Sequence, residues 1–316
     1  MAPVVYFIVP CYCEEEMLPV SAPVFLNKLE SLIGAGKADE KSRVVFVDDG
    51  SDDQTWQIIK DLSSAHRRIE GVRLAHNVGE DNAQRAGMRA ALDSAHCVVS
   101  MDCDLQDDID AVDEMLEQFS AGSDIVLGIR ATRDEDPLKE RFFSASYYFV
   151  MKLLRTGLIK NQANCRLLSS AAVREVLAHK EASYLPALVS SLPLEKTIVY
   201  YKRKAREKGT TKYNFRKKLT LAFDSIVLHA KHIRVLVFAA SAVSFLAAAV
   251  FLFLLLKNAA ALKILWGVLT ALFALAGAFA AGVCAAYKQV YARVCSRNKT
   301  GFEIAETTFE TLPLRD

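Results

Sequence analysis

The sequence has seven cysteines, an odd number, and no CxxC pair. A disulfide framework is excluded as the basis of the fold, and free thiols fit a reducing compartment. The six histidines show no HExxH or other ligand spacing, which removes a zinc-hydrolase reading. There is no GxSxG elbow and no P-loop. No GxGxxG follows the first apolar run, which speaks against a dinucleotide-binding site. A secretory leader is not expected either. Met1–Pro10 is too short for one, and Pro10 and the acidic run Glu14–Glu16 end it.

What is present is apolar and electrically lopsided. The 316 residues, about two domains' worth, are 52% hydrophobic and 24% charged, with mean hydropathy +0.16. That is too apolar for an ordinary soluble enzyme. A net charge of +2 conceals opposed segments: residues 1–199 carry 21 Lys+Arg against 31 Asp+Glu, residues 200–234 carry 11 against 2. An acidic body with a basic collar excludes a nucleic-acid binder with a uniformly basic surface.

Two uncharged runs follow the collar, 22 residues over Val235–Leu256 and 24 over Ile264–Tyr287. Each reaches the roughly 20 residues that a helix needs to cross a bilayer. Neither has the polar face of a soluble helix. The sequence therefore predicts a transmembrane hairpin (235–256, 264–287) closed by Lys257–Lys263. Lys231, His232 and Arg234 precede it, and Lys288, Arg293, Arg297 and Lys299 follow. The positive-inside rule puts both termini in the cytoplasm, at a plasma (inner) membrane. The expected organisation is a cytoplasmic domain over 1–213, a basic juxtamembrane segment over 214–234, the spans over 235–287, and a polar tail over 288–316. Leu138–Arg155 and Asn214–Ala230 read as interfacial helices with aromatic stripes and interspersed cations. Small residues at Gly277 and Gly282 permit the close helix packing that a homo-oligomer uses.

The first half alternates strand and helix. Val4–Val9, Val44–Val47, Val72–Ala75, Cys97–Met101 and Asp124–Gly128 read as strands, the apolar runs of a buried parallel sheet. Val20–Ile33, Thr55–Ser64, Asn82–Ser94 and Ile109–Phe119 read as helices, giving an α/β fold. Ligands of such sheets bind beyond the strands' carboxyl ends. Glu14, Asp48, Asp49, Asp102 and Asp104 fall there. Asp102 and Asp104, two positions apart at a strand end, share a direction by the strand period. Their repulsion calls for a hard divalent cation, which bridges carboxylates to substrate phosphates. The plainer alternative is that Asp104 or Asp107 caps the next helix.

VDDGSDD (47–53), NVG (77–79), MDCDLQDD (101–108), CRLLS (165–169) and KGTTKYNFRKKL (208–219) stand in that order before the hairpin. Together they resemble the family 2 glycosyltransferases that load polyprenyl phosphates. The resemblance covers roughly residues 4–290 and implies a GT-A-type, Rossmann-like, mostly parallel sheet. It implies that Pro10, Tyr12, Glu14, Asp49 and Ser51 hold the base and ribose of a UDP- or GDP-linked sugar. Asp102, Asp104 and Gln106 would hold Mg²⁺ or Mn²⁺ on the diphosphate. Arg130, Arg133, Arg166, Arg206, Lys212 and Tyr213 would line the site of a polyprenyl-phosphate acceptor. Guanidinium forks suit phosphate oxygens.

Two departures stand out. The aspartate often taken as base is Asn164 here, in Ala163-Asn164-Cys165-Arg166, and the usual His-Gln after NVG is Glu80-Asp81. A phosphate monoester has its second pKa at about 6, so its nucleophilic dianion needs orientation more than a general base. Asn164 can position the acceptor by hydrogen bonding. The expected activity is inverting sugar transfer. A polysaccharide synthase on the same fold is the nearest alternative, although QxxRW is absent and Arg166 is followed by Leu-Leu. A non-catalytic nucleotide-sugar-binding partner is a second. A transporter is excluded by spans without ionisable residues.

Overall fold

The computed structural model describes residues 2–131, 148–149, 151–152, 159–179, 184–203, 227, 239, 242–250, 253, 260–297 and 301–309. The chain divides into two compact units: Met1–Phe149 with Gly157–Asn214 and Thr300–Asp316, and Val150–Thr156 with Phe215–Lys299. Of the expected interfacial segments, 214–226 and most of 138–155 lie outside the described residues.

In the first unit, β1 (Val5–Cys11), β2 (Arg43–Asp48), β3 (Ile69–Leu74), β4 (Cys97–Ser100) and β5 (Ile125–Arg130) are the five expected strands. Between them run α1 (Leu18–Gly34), α2 (Thr55–Ala65), α3 (Glu80–Ala91) and α4 (Ala111–Ser120). Three further strands complete the sheet: β6 (Gln162–Ser169), β7 (Lys196–Tyr201) and β8 (Ile304–Thr307). Helices α5 (Ser170–Ala178) and α6 (Leu185–Ser191) join β6 to β7.

The eight strands lie in the order β7-β5-β6-β4-β1-β2-β3-β8. The pairs β4–β1, β1–β2, β2–β3 and β5–β7 are parallel. Strand β6 runs antiparallel to both its neighbours, and β8 antiparallel to β3. The sheet is therefore mixed and mostly parallel.

Alternation along β1 explains how both faces are covered. Val5, Phe7 and Val9 pack with α1, α2 and α4, while Val4, Tyr6 and Ile8 pack with α3, α5 and α6. Helix α1 buries Leu18, Ala22, Phe25, Leu26, Leu29 and Leu32, a stripe of helical period. Phe25 meets Phe7 and Phe46 edge-on, with ring centroids 6.1 and 6.2 Å apart.

The polar tail contains a strand. Strand β8 covers the free edge of β3 and is pinned there by side chains: Trp56 Nε1 donates to Glu306 Oε2 at 2.8 Å, and Gly71 N to Thr308 Oγ1 at 2.7 Å. An exposed edge is thereby removed from β3.

The second unit contains α7 (Ala260–Arg297), a 38-residue helix about 57 Å long by its rise. Its stretch Gly267–Ser296 is long and apolar enough to cross a membrane, at mean hydropathy 2.2. Leu275 and Phe279 are exposed on it. Of the two spans expected from sequence, this is the one long apolar helix among the described residues. Of Val235–Leu256, residues 239, 242–250 and 253 are described, and they are helical. A Cβ on Gly277 would stand 3.2 Å from the Phe245 ring, so this small residue serves a close approach within the chain.

Candidate functional site

The acidic groups gather past the carboxyl ends of β1, β2 and β4. The loop after β2 is shaped by its own side chains. Ser51 N donates to Asp48 Oδ1 at 3.0 Å, and Cys13 N to Ser51 Oγ at 2.9 Å, joining the β1 and β2 loops. Gly50 has φ +65° and lies against the backbone of His76, where a Cβ would come within 2.5 Å. Asp49 is buried and accepts from Val78 N at 2.8 Å and Gly79 N at 3.0 Å. Burial, with Asp48 alongside, pushes its carboxyl up to about 6 despite those bonds. Pro10 pairs with Val47 one residue before β1 ends at Cys11, and Tyr12 is exposed just beyond. Glu14 N donates to Thr55 Oγ1 at 2.8 Å.

The Asp102–Asp107 segment is a turn rather than a strand end, because β4 stops at Ser100 and Leu105 has φ +54°. The two-residue strand period therefore does not set the directions of Asp102 and Asp104. Nor does either expected residue cap α4. Asp104 Oδ1 accepts from Gln106 N at 3.2 Å, Asp107 accepts from no backbone N–H among the described residues, and the residue preceding α4 is Asp110.

Strand β6 completes this cluster. Its antiparallel register sets Arg166 opposite Ser100, so residue 164 falls opposite residue 102. Asn164 Nδ2 donates to Asp102 Oδ1 at 3.3 Å and also to Glu80 Oε1. Asn164 Oδ1 accepts from Arg166 Nη2 at 3.0 Å, and its backbone oxygen from Arg166 Nε at 3.2 Å. Arg166 is fully buried, and its Nη1 has no partner among the described residues. Burial, then Asp107 and Asp104, pushes Asp102 up to about 6. Burial and the Asp102 charge push Glu80 well above the usual carboxylate range.

A second polar group lies beside the first. Arg130 and Tyr201 are register partners on β5 and β7. Asp107 and Tyr201 are buried, and Arg203 Nε stands 3.9 Å from Asp107 Oδ1. Arg130 Nε has no hydrogen-bond partner among the described residues. Arg133, Arg206, Lys212 and Tyr213 lie outside the described residues. Of the residues singled out from sequence, the structure brings together Asp102, Asn164 and Arg166, and beside them Glu80, Asp107, Tyr201 and Arg203. Glu80 was visible as a departure from pattern. Tyr201 and Arg203 carried no signal that separated them from strand and collar.

Among the described residues no three His, Cys, Asp or Glu side chains form a metal cage. A surface hollow of about 470 Å³, lined by Pro3, Lys37, Leu116 and Glu117 among others, sits at the strands' amino ends, away from this chemistry.

An open, mostly parallel sheet of this kind, with acidic groups past its carboxyl ends, is a GT-A-like α/β architecture. The chain belongs to glycosyl transferase family 2, whose profile matches residues 6–180, and it is a glycosyltransferase. It is 35% identical over 225 residues to the uncharacterized glycosyltransferase YkoT of Bacillus subtilis, covering 71% of this chain and 67% of that one. It is 29% identical over 221 residues to a prophage bactoprenol glucosyl transferase homolog of Escherichia coli, covering 69% and 70%. With the undecaprenyl-phosphate 4-deoxy-4-formamido-L-arabinose transferase of Pectobacterium atrosepticum it shares 27% over 223 residues, covering 69% and 64%.

Proposed function

We propose that the chain moves a sugar from a UDP- or GDP-linked donor to a polyprenyl phosphate at the cytoplasmic face of the plasma membrane. The observation that carries this reading is the buried Arg166 guanidinium, tied through Asn164 to Asp102, with Nη1 left for an anionic oxygen. The names of two relatives, which specify bactoprenol and undecaprenyl phosphate, supply the acceptor class.

A divalent cation fits the residues present. Asp102 is buried with the charges of Asp107 and Asp104 close to it. The protein offers too few ligands for a cage of its own among the described residues. That suits Mg²⁺ or Mn²⁺, which takes one or two carboxylates and completes its shell with substrate phosphates. Asp102, Asp104 and Gln106 would hold it, and its chemistry would be charge neutralisation on the departing diphosphate.

In the reaction, an oxygen of the acceptor phosphate forms a bond to the anomeric carbon. The bond from that carbon to the donor diphosphate breaks with inversion, and the nucleoside diphosphate leaves with the electron pair. Pro10, Tyr12, Glu14, Asp49 and Ser51 form the nucleotide side. Arg130, Arg133, Arg166, Arg206, Lys212 and Tyr213 form the acceptor side, where guanidiniums orient the phosphate dianion. Asn164 holds Arg166 and takes no proton. The helical stretch 242–250 packed on Gly277 supports a two-helix hairpin, with the domain boundaries given above, that keeps the α/β unit at the lipid surface.

The test is direct. Detergent-purified protein is incubated with undecaprenyl phosphate, Mn²⁺ or Mg²⁺, and a panel of UDP- and GDP-sugars, and lipid-linked sugar is read by mass spectrometry. A product from one donor, abolished by EDTA, is expected. Absence of product with every donor, alongside measurable nucleotide-sugar binding, overturns the reading in favour of a non-catalytic binder.

A further inference from the structure

The sense of the Asn164 amide is dictated by what surrounds it. On one side stand two carboxylates, Glu80 at the first turn of α3 and Asp102 after β4, which both accept from Nδ2. On the other stands Arg166, which donates to Oδ1 and to the backbone oxygen of the same residue. A flipped amide would turn its oxygen to two carboxylates and its NH₂ to a guanidinium, so one orientation wins. Among the described residues Arg166 is gripped along one edge by Asn164, and its Nη1 has no partner there.

The two bonds that hold the amide are not equivalent. The contact to Asp102 is long, at 3.3 Å. If Asp102 turns to a cation, as in the transfer reaction proposed above, that bond is drawn away. Glu80 is then the acceptor that remains. It is itself held by Gln84, whose Nε2 donates to the same Oε1 at 3.2 Å. Helix α3 thus reaches the guanidinium through one relay, from Gln84 through Glu80 and Asn164 to Arg166.

We propose that Glu80 is a positioning residue of the transfer site: its Oε1 fixes the sense of the Asn164 amide and so aims Arg166 at the acceptor phosphate. The role belongs to an acceptor oxygen, so glutamine can fill it and alanine cannot. The bond also has a polarity that can be reversed. Asn164→Asp removes the donor and sets three carboxylates together, and Glu80→Gln in the same chain supplies a donor from the other side.

The test uses the full-length protein in detergent with four variants: Glu80→Ala, Glu80→Gln, Asn164→Asp, and Glu80→Gln with Asn164→Asp. Glu80→Ala and Asn164→Asp are expected to lower kcat about tenfold or more, the range for lost orientation of a reacting group. Glu80→Gln should recover the alanine loss to within about fivefold, and should rescue Asn164→Asp in the double variant, the signature of direct coupling. Melting of the metal-free proteins reads the same coupling without turnover. Each disrupted single variant should lose about 3 °C, and the double should regain most of it. That readout separates this proposal from the transfer reading, since it stands even where no donor yields product. Glutamine no better than alanine, or a double variant no better than Asn164→Asp, overturns the proposal. If Asn164→Asp does not fold, Glu80→Ala, with Glu80→Ser beside it, decides: kcat within twofold of the unaltered protein defeats the proposal.

Discussion

Arg166 stands opposite Ser100 across the antiparallel β4–β6 pair, and this one register brings Asn164 to Asp102. The site is therefore assembled by sheet pairing between segments more than 60 residues apart, with the turn after β4 supplying the acidic half.

Asp102→Ala and Asp104→Ala should each lower turnover at least about 100-fold, as expected for loss of charge stabilisation on a leaving group. Both variants should still fold, because each relieves crowding among carboxylates. Lipid-linked product by mass spectrometry and a melting curve on the same sample check this. Near-normal turnover in Asp104→Ala would sink the metal assignment.

Stability should depend on pH in an unusual direction. Asp49 and Asp102 have their carboxyls raised to about 6, so the folded chain binds more protons than the unfolded chain between about pH 4 and 6. The stability they contribute is complete below the unfolded pKa and is lost as pH rises through about 6. Each group accounts for on the order of 3 kcal/mol. Metal-free protein should melt higher at pH 5 than at pH 7.5, and Mn²⁺ with a nucleotide-sugar should narrow the gap. A flat profile between those values would refute the burial argument.

Gly50→Ala should cost about 2 kcal/mol or more, through a positive φ and a Cβ 2.5 Å from the His76 backbone. The β2 loop would shift against the 76–79 loop that Asp49 braces. A lowered Tm together with weaker nucleotide-sugar binding by calorimetry is the expected pair of results.

Trp56→Phe keeps the aromatic packing but removes the indole bond to Glu306. A bond to a charged acceptor contributes about 1.5–3 kcal/mol, so the melt should fall by several degrees. Truncation after residue 301 should do more, leaving the edge of β3 open and the protein prone to aggregation. Light scattering during the melt would show whether the two variants differ in this way.

Strands β1, β2, β4 and β5 were legible as apolar runs, whereas β3 is interrupted by Glu70 and Arg73 and was placed only from Val72 onward; the acidic groups were legible because they follow such runs. Strand β6 was not. Its QANCRLLS sequence interleaves Asn164 and Arg166 with core residues, so it reads as a motif and not as a strand. Its antiparallel direction, which decides what Asn164 touches, has no signature in the residues themselves. Strand β8 was missed because four residues in a polar tail form a strand only when β3 offers an edge. Glu80 was noticed for being unusual, but its role depends on the amide of a residue 84 positions away. The small residues at 277 and 282 suggested contact between copies, and at Gly277 the close neighbour is Phe245 of the same chain.

Strand β8 also sets an order of events during synthesis. It is encoded after α7, so strands β1–β7 and the long apolar helix are all made before the sheet can be finished. Until residue 309 emerges, β3 keeps an open edge, the feature that makes nascent α/β chains prone to mispairing. A ribosome that stalls within α7 leaves a sheet without its last strand. Closure at β3 is thus a record that the apolar segment was translated in full, and a truncated chain carries its defect on the sheet's own rim.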